Sequence, residues 1–198
     1  MQMVNFTRMQ DGTREEYELL DRLEKEYIAG LPGRIMESLR KLEHSISGYR
    51  VSRLEHSLQG ATRAFRAGES EEMIVAVLLH DIGDELAPHS HSEMAAAILR
   101  PFVSERLYWI IKHHGIFQMY YYAHHCGGDR NTREMFRDHA WYQDAIDFCH
   151  DYDQNCFDPD YDSEPLEFFE PILQRVLSQP HFDDAEHVAR YGEQDKNE

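Results

Sequence analysis

The most constraining stretch of this chain is the run Met73–Leu79, which is apolar on every side and ends in His80-Asp81. A helix that is apolar all round belongs inside a protein, not on its surface. The run is too short to cross a bilayer, so it predicts a central helix of a water-soluble core. The polar pair at its end must therefore sit at or near that core. A carboxylate there is costly unless it is paired or bound to metal.

The surrounding periodicity is helical nearly everywhere, with no alternating strands joined by hairpin turns. Thr13 and Glu16 form a capping box that opens a helix carrying Tyr17, Leu20, Leu23 and Tyr27 as a core stripe. Gly30 and Pro32 end it. Further helices are expected over 33–44, from about Ser52 to Gly68, over 71–80, 92–99, from Ser104 to about Tyr122, and over 133–137, 140–156 and 166–177. Loops fall at Ser45–Arg50, Gly127–Asn131 and Asp158–Ser163. The fold class is all-α, one helical domain over residues 1–179 with a polar tail over 180–198.

Charge narrows the function. Thirty-seven acidic residues against 20 basic give a net charge of -17, which disfavours phosphate-backbone binding to nucleic acid and docking on anionic membrane. The N-terminal stretch lacks the apolar core of a signal peptide. Cys126, Cys149 and Cys156 form no CxxC pair, which suits a reducing cytoplasm and offers no thiolate zinc site. Thirteen histidines, by contrast, invite a search for metal ligands. His56, His80, Asp81, His91, His113-His114 and Asp153 supply the nitrogen and carboxylate mix of non-thiolate iron, manganese or zinc sites. Alone, His56 lies off its helix's apolar stripe and reads as a surface residue, and an isolated His-Asp dipeptide is a common helix end. Four histidines with two aspartates, one placed to bridge, suffice for two metals.

The set His56, His80-Asp81 within LLHDIGD (Leu78–Asp84), and Asp153 within YDQNCFDPDYD (Tyr152–Asp162) resembles the HD-domain superfamily of helical metalloproteins. The additional histidines in HSEMAAAIL (His91–Leu99) and IIKHHGIFQ (Ile110–Gln118) resemble its mixed-valent diiron oxygenase branch, which holds myo-inositol oxygenase and the hydroxyphosphonate oxygenases. The resemblance spans about residues 51–171. It implies that His56, His80, Asp81 and Asp153 hold one iron, with Asp81 bridging to a second held by His91 and His114. His89 and His113 are the competing neighbours. It implies an Fe(II)/Fe(III) pair that uses O2 to cleave the C–P bond of a 1-hydroxyphosphonate, with no organic cofactor.

Three positions depart from the family pattern. Asp84 stands where His or Lys is frequent, Gln118 where lysine is found, and His150 near where arginine would sit. The site is thus expected to be less basic than that of relatives binding a primary amine. Asp84, with Tyr49, Tyr121 and the rest of Tyr120–Tyr122, suits a quaternary ammonium group. The substrate expected is 1-hydroxy-2-(trimethylamino)ethylphosphonate, giving glycine betaine and phosphate. Asp84 reads equally well as a helix-end acceptor or a support for a ligand histidine, and the tyrosines as packing. Arg130 is a candidate for bidentate contact with a phosphonate oxygen, or a loop salt bridge. Glu55 reads as a solvated or ligand-supporting carboxylate, and His124 and His125 as residues of the pocket mouth. The Ser45–Arg50 loop, with Ser47 and Tyr49, is the expected lid. The rival readings are a metal-dependent HD phosphohydrolase and a metal-stabilised binding or sensor module.

Overall fold

The structure is a computed structural model and describes residues 3–181. The expected tail therefore lies, beyond His181, outside the described residues. Eight α-helices are present among the described residues: α1 (Arg14–Ala29), α2 (Leu31–Lys41), α3 (Arg53–Ala67), α4 (Glu71–Leu79), α5 (His91–Leu99), α6 (Glu105–Tyr122), α7 (Tyr142–Tyr152) and α8 (Leu166–Leu177). The described residues contain no strand.

Helix α4 is the axis of the bundle. Residues 73–79 are all buried, with Ala76 to Leu79 at 0% exposure, and α3, α5, α6 and α8 all pack against it. Burying each Leu or Val side chain contributes roughly 1.5–3 kcal/mol. Ser70 caps its first turn by accepting a hydrogen bond from the Met73 amide. The carboxyl end of α4 thus delivers His80 and Asp81 to the middle of the fold.

Helix α3 begins at a capping box in which Ser52 accepts from the Glu55 amide and Glu55 accepts from the Ser52 amide. Glu55 is therefore spent on helix initiation. Ser52→Ala is expected to cost about 1 kcal/mol in urea unfolding, because the cap and a 2.9 Å bond from Ser52 Oγ to Glu43 are lost together. Helix α3 ends at Gly68, whose φ of 78° is the left-handed conformation that glycine adopts without strain.

Several expected boundaries move. Gly30 ends α1, whereas Pro32 sits in the first turn of α2, where its missing N–H costs nothing. Residues 42–44 continue α2 as a 3₁₀ turn, and Thr132–Phe136 is a 3₁₀ turn as well. Helix α7 stops at Tyr152 instead of running to Cys156, because Asp153 leaves helical geometry. The first helix corrects the sequence reading most clearly. No residue of α1 is buried, and Tyr27 and Ile28 are 65% and 53% exposed. Helix α1 packs against α2, and Tyr17 of its apolar stripe meets Phe6, but the stripe is not enclosed by the bundle. No helix among the described residues is long and apolar enough to cross a membrane.

Candidate metal centre

Four elements converge on one buried cluster. Helix α3 brings His56, the end of α4 brings His80 and Asp81, α6 brings His114, and the residue after α7 is Asp153. His56 and His80 are 0% exposed, and Asp81, His114 and Asp153 are between 2% and 3%. His91, at the start of α5, is half-buried.

Two glycines permit this convergence. A Cβ on Gly60 of α3 would lie 2.5 Å from the Tyr152 carbonyl oxygen and 2.8 Å from Val77 Cγ1, so only glycine lets α3, α4 and the end of α7 meet. A Cβ on Gly83 would lie 2.7 Å from the His91 carbonyl oxygen, so the loop after Asp81 can press against the start of α5.

Backbone carbonyls orient the histidines. Nδ1 of His56 bonds Cys156 O at 3.1 Å, that of His80 bonds Val77 O at 2.7 Å, and that of His114 bonds Ile111 O at 2.7 Å. A carbonyl can only accept, so each Nδ1 carries a proton and Nε2 is the nitrogen turned toward the cluster, able to hold either a second proton or a metal. Yet Nε2 of His56 and Nε2 of His80 face each other at 3.0 Å. Two lone pairs cannot rest there together; a proton or a metal cation must lie between them. The donors around them are nitrogens and carboxylate oxygens, and the described residues contain three groups that could hold a metal: His56–His80–Asp81, His80–His114–Asp153 and Asp81–His91–His114.

The two oxygens of Asp81 face different histidines. Oδ2 lies 3.3 Å from His56 Nε2 and 3.2 Å from His80 Nε2. Oδ1 lies 3.5 Å from His91 Nε2 and 3.4 Å from His114 Nε2. Asp153 Oδ1 closes the first group, 3.4 Å from His56 Nε2. Burial works to raise the Asp81 pKa, but electrostatic interaction with His80 and the Arg53 guanidinium and hydrogen bonds from His114 and His56 hold it well below the usual carboxylate range. Burial likewise opposes the imidazolium of His56, while bonds and charge from Asp153 and Asp81 carry its pKa up to about 9. The cluster demands positive charge at its centre.

Beside it opens a cavity of about 610 Å³, lined by Asp81, His91, His114 and Asp153 together with Tyr49, Arg53, Asp84, Gln118, Tyr121, Tyr122 and Phe157. Gln118 donates to Asp153 Oδ1 at 2.8 Å, and its own Oε1 is buried without a partner. Tyr49 stacks on Phe157 at 4.9 Å, and Phe157 stacks on His56 at 4.5 Å. The expected lid loop thus touches a ligand candidate through one ring.

Other sequence candidates lie elsewhere. His89 is exposed, and His113 bonds the Trp109 carbonyl and packs on its ring. His150 is exposed and paired with Asp151 at 2.7 Å, because it sits on the outer face of α7. Arg130 stacks 4.0 Å from the Tyr120 ring, which also carries Arg133, so neither Arg130 nor Tyr120 is among the cavity-lining residues. His124 and His125 are exposed and do not line it either.

Arg53 and Phe157 were not legible as site residues. Arg53 donates from Nη2 to Asp81 Oδ2 at 2.6 Å and from Nε to Asp84 Oδ2 at 2.7 Å. The site is therefore more basic than the sequence led us to expect, and Asp84 is already engaged. Arg53 precedes His56 by three residues, one helical turn on the same face, which is the signal that could have found it. Phe157 lies in an irregular loop and carries no such signal.

A helical bundle whose central helix ends in a buried His-Asp pair, ringed by further histidines and aspartate, is the architecture of an HD domain, and residues 53–150 match the HD domain family. This chain is an HD-domain protein. It is also similar to the [1-hydroxy-2-(trimethylamino)ethyl]phosphonate dioxygenase (glycine-betaine-forming) of Leisingera caerulea, with 34% identity over 86 residues. That match takes in 38% of this chain and 44% of the relative, so it spans less than half of the relative's length.

Proposed function

We propose that this protein is a diiron oxygenase that uses O2 to cleave the C–P bond of 1-hydroxy-2-(trimethylamino)ethylphosphonate, giving glycine betaine and phosphate. The carrying observation is Asp81, whose two oxygens face two separate histidine pairs within 3.2–3.5 Å. A single metal would leave half of those nitrogens without a task. Substrate and O2 balance as carboxylate, phosphate and a proton, so no external reductant is required.

Two irons held by His56, His80, Asp81, Asp153, His91 and His114 would supply the redox chemistry with O2 and a Lewis-acid anchor for the substrate hydroxyl. The protein's share is orientation. The backbone carbonyls behind His56, His80 and His114 hold their rings and keep Nε2 basic. Gln118 fixes the rotamer of Asp153. Tyr121 and Tyr122 border the same cavity and suit a trimethylammonium group, whereas Phe157 is covered by Tyr49 on one face and His56 on the other. Asp84 supports Arg53, with His91 Nδ1 3.7 Å from its other oxygen, and contributes negative charge without being free to grip the cation. The three unpaired cysteines suit a reducing compartment such as the cytoplasm.

Protein reconstituted with iron under argon and partly oxidised should show a mixed-valent EPR signal that changes on adding the hydroxyphosphonate. Phosphate should then appear in air and not under argon. Hydrolysis of a phosphate ester under argon, with manganese or zinc bound and no such signal, would instead establish the phosphohydrolase reading.

A further inference from the structure

We infer that Arg53 is the specificity residue that recognises the phosphonate head of the substrate, with Asp81 and Asp84 holding its guanidinium for that purpose. This role presupposes the hydroxyphosphonate reading above.

Arg53 is the one lysine or arginine among the residues that line the cavity. Its side chain is 12% exposed, so its charge is largely withdrawn from water and faces the cavity contents. Both carboxylates act on the same edge of the guanidinium: Nε donates to Asp84 and Nη2 to Asp81. That leaves three N–H groups, of which one from Nη1 and one from Nη2 point parallel off the end of the fork. Among the described residues the guanidinium's hydrogen bonds are those from Nε and Nη2, and its carbon lies 5.6 Å from the centre of the Tyr49 ring. Two parallel N–H groups at the end of a guanidinium match two oxygens of a tetrahedral oxyanion. Two pinned nitrogens make the fork rigid, so little side-chain freedom is lost when an anion docks.

Charge supports the same assignment. Asp81, Asp84 and Asp153 all border the cavity, and a doubly charged phosphonate would be repelled by three carboxylates without a fixed cation among them. Arg53 is also tied to Asp81, the carboxylate between the two histidine pairs. An anion on the fork would therefore lie within one residue's reach of the metal positions, as a 1-hydroxyphosphonate requires if its hydroxyl and phosphonate are to be read together.

The test compares two ligands that differ by the phosphonate alone: 1-hydroxy-2-(trimethylamino)ethylphosphonate, and 2-(trimethylamino)ethanol, which keeps the hydroxyl and the quaternary ammonium. Their affinities for iron-loaded protein are measured under argon, by calorimetry and by the change in EPR signal, with iron content determined alongside. In Arg53→Gln iron loading should fall, because Arg53 bonds Asp81; compared at equal iron occupancy, Arg53→Gln should weaken the phosphonate about 10- to 100-fold, weaken the alcohol far less, and abolish the wild type's preference for the phosphonate. Arg53→Lys, a point charge without a fork, should recover only part of that preference. Equal losses for both ligands at equal iron occupancy would show that Arg53 merely holds Asp81 and Asp84 and would overturn its recognition role. If the wild type itself does not prefer the phosphonate, the hydroxyphosphonate reading fails, and this role fails with it.

Discussion

Asp81→Asn should strip the centre of metal. Asp81 is the residue shared between both histidine groups, and an amide offers one neutral oxygen where the carboxylate offers two charged ones. Removing a partner behind a metal ligand costs roughly 10- to 100-fold in affinity, and loss of the shared carboxylate should exceed that. Metal content by elemental analysis should fall to background on both sides of the site. His91→Ala is the informative companion. It should empty only the Asp81–His91–His114 side, because His56, His80 and Asp153 do not depend on it. Full metal content in Asp81→Asn would remove the ground for a bridged pair.

Gly60→Ala should be the most damaging substitution outside the charged residues. The added methyl would meet a main-chain oxygen at 2.5 Å and Val77 Cγ1 at 2.8 Å, and neither can swing aside. Relief requires α3 to part from α4 and from the end of α7. The expected cost is about 3 kcal/mol, the upper end for overpacking, which is a fall in Tm of roughly 6–12 °C for a domain of this size. Because Tyr152 precedes Asp153, metal affinity should fall with stability. Gly33→Ala, in α2 with nothing within 4 Å of its Cβ position, should be neutral or slightly stabilising in the same thermal scan. Equal Tm values for the two variants would contradict the packing described here.

What could be read from the sequence, and what could not, follows from the range of the forces involved. The boundaries of α8 and the capped start of α3 are set by local chemistry, and the structure places both where the sequence did. The burial of α4 follows from its composition alone. The outer position of α1 depends on whether a partner face exists in the fold, which no periodicity encodes. Asp153 ends α7 because its carboxylate turns toward His56 and Gln118, and both of those partners are distant in sequence. The same distance hid Arg53, whose role is defined by two aspartates some thirty positions away, 28 and 31 residues on. His89 and His113 could be separated from His91 and His114 only by seeing which rings meet Asp81. His113, although adjacent to His114, faces the Trp109 cluster because neighbours on a helix point about 100° apart.

The acceptors behind the three buried rings are main-chain oxygens of Val77, Ile111 and Cys156. Where a carboxylate side chain does this work, one codon change deletes it. Here no substitution at those three positions removes the acceptor, since every amino acid carries the same carbonyl. The imidazoles of His80 and His114 borrow theirs from the turn of helix that precedes them, so their alignment is inherited with the helix itself. Sequence drift at positions 77, 111 and 156 can therefore alter packing while the aim of the ring nitrogens persists, and a lineage can rework its pocket walls for new substrates without first rebuilding the centre they surround.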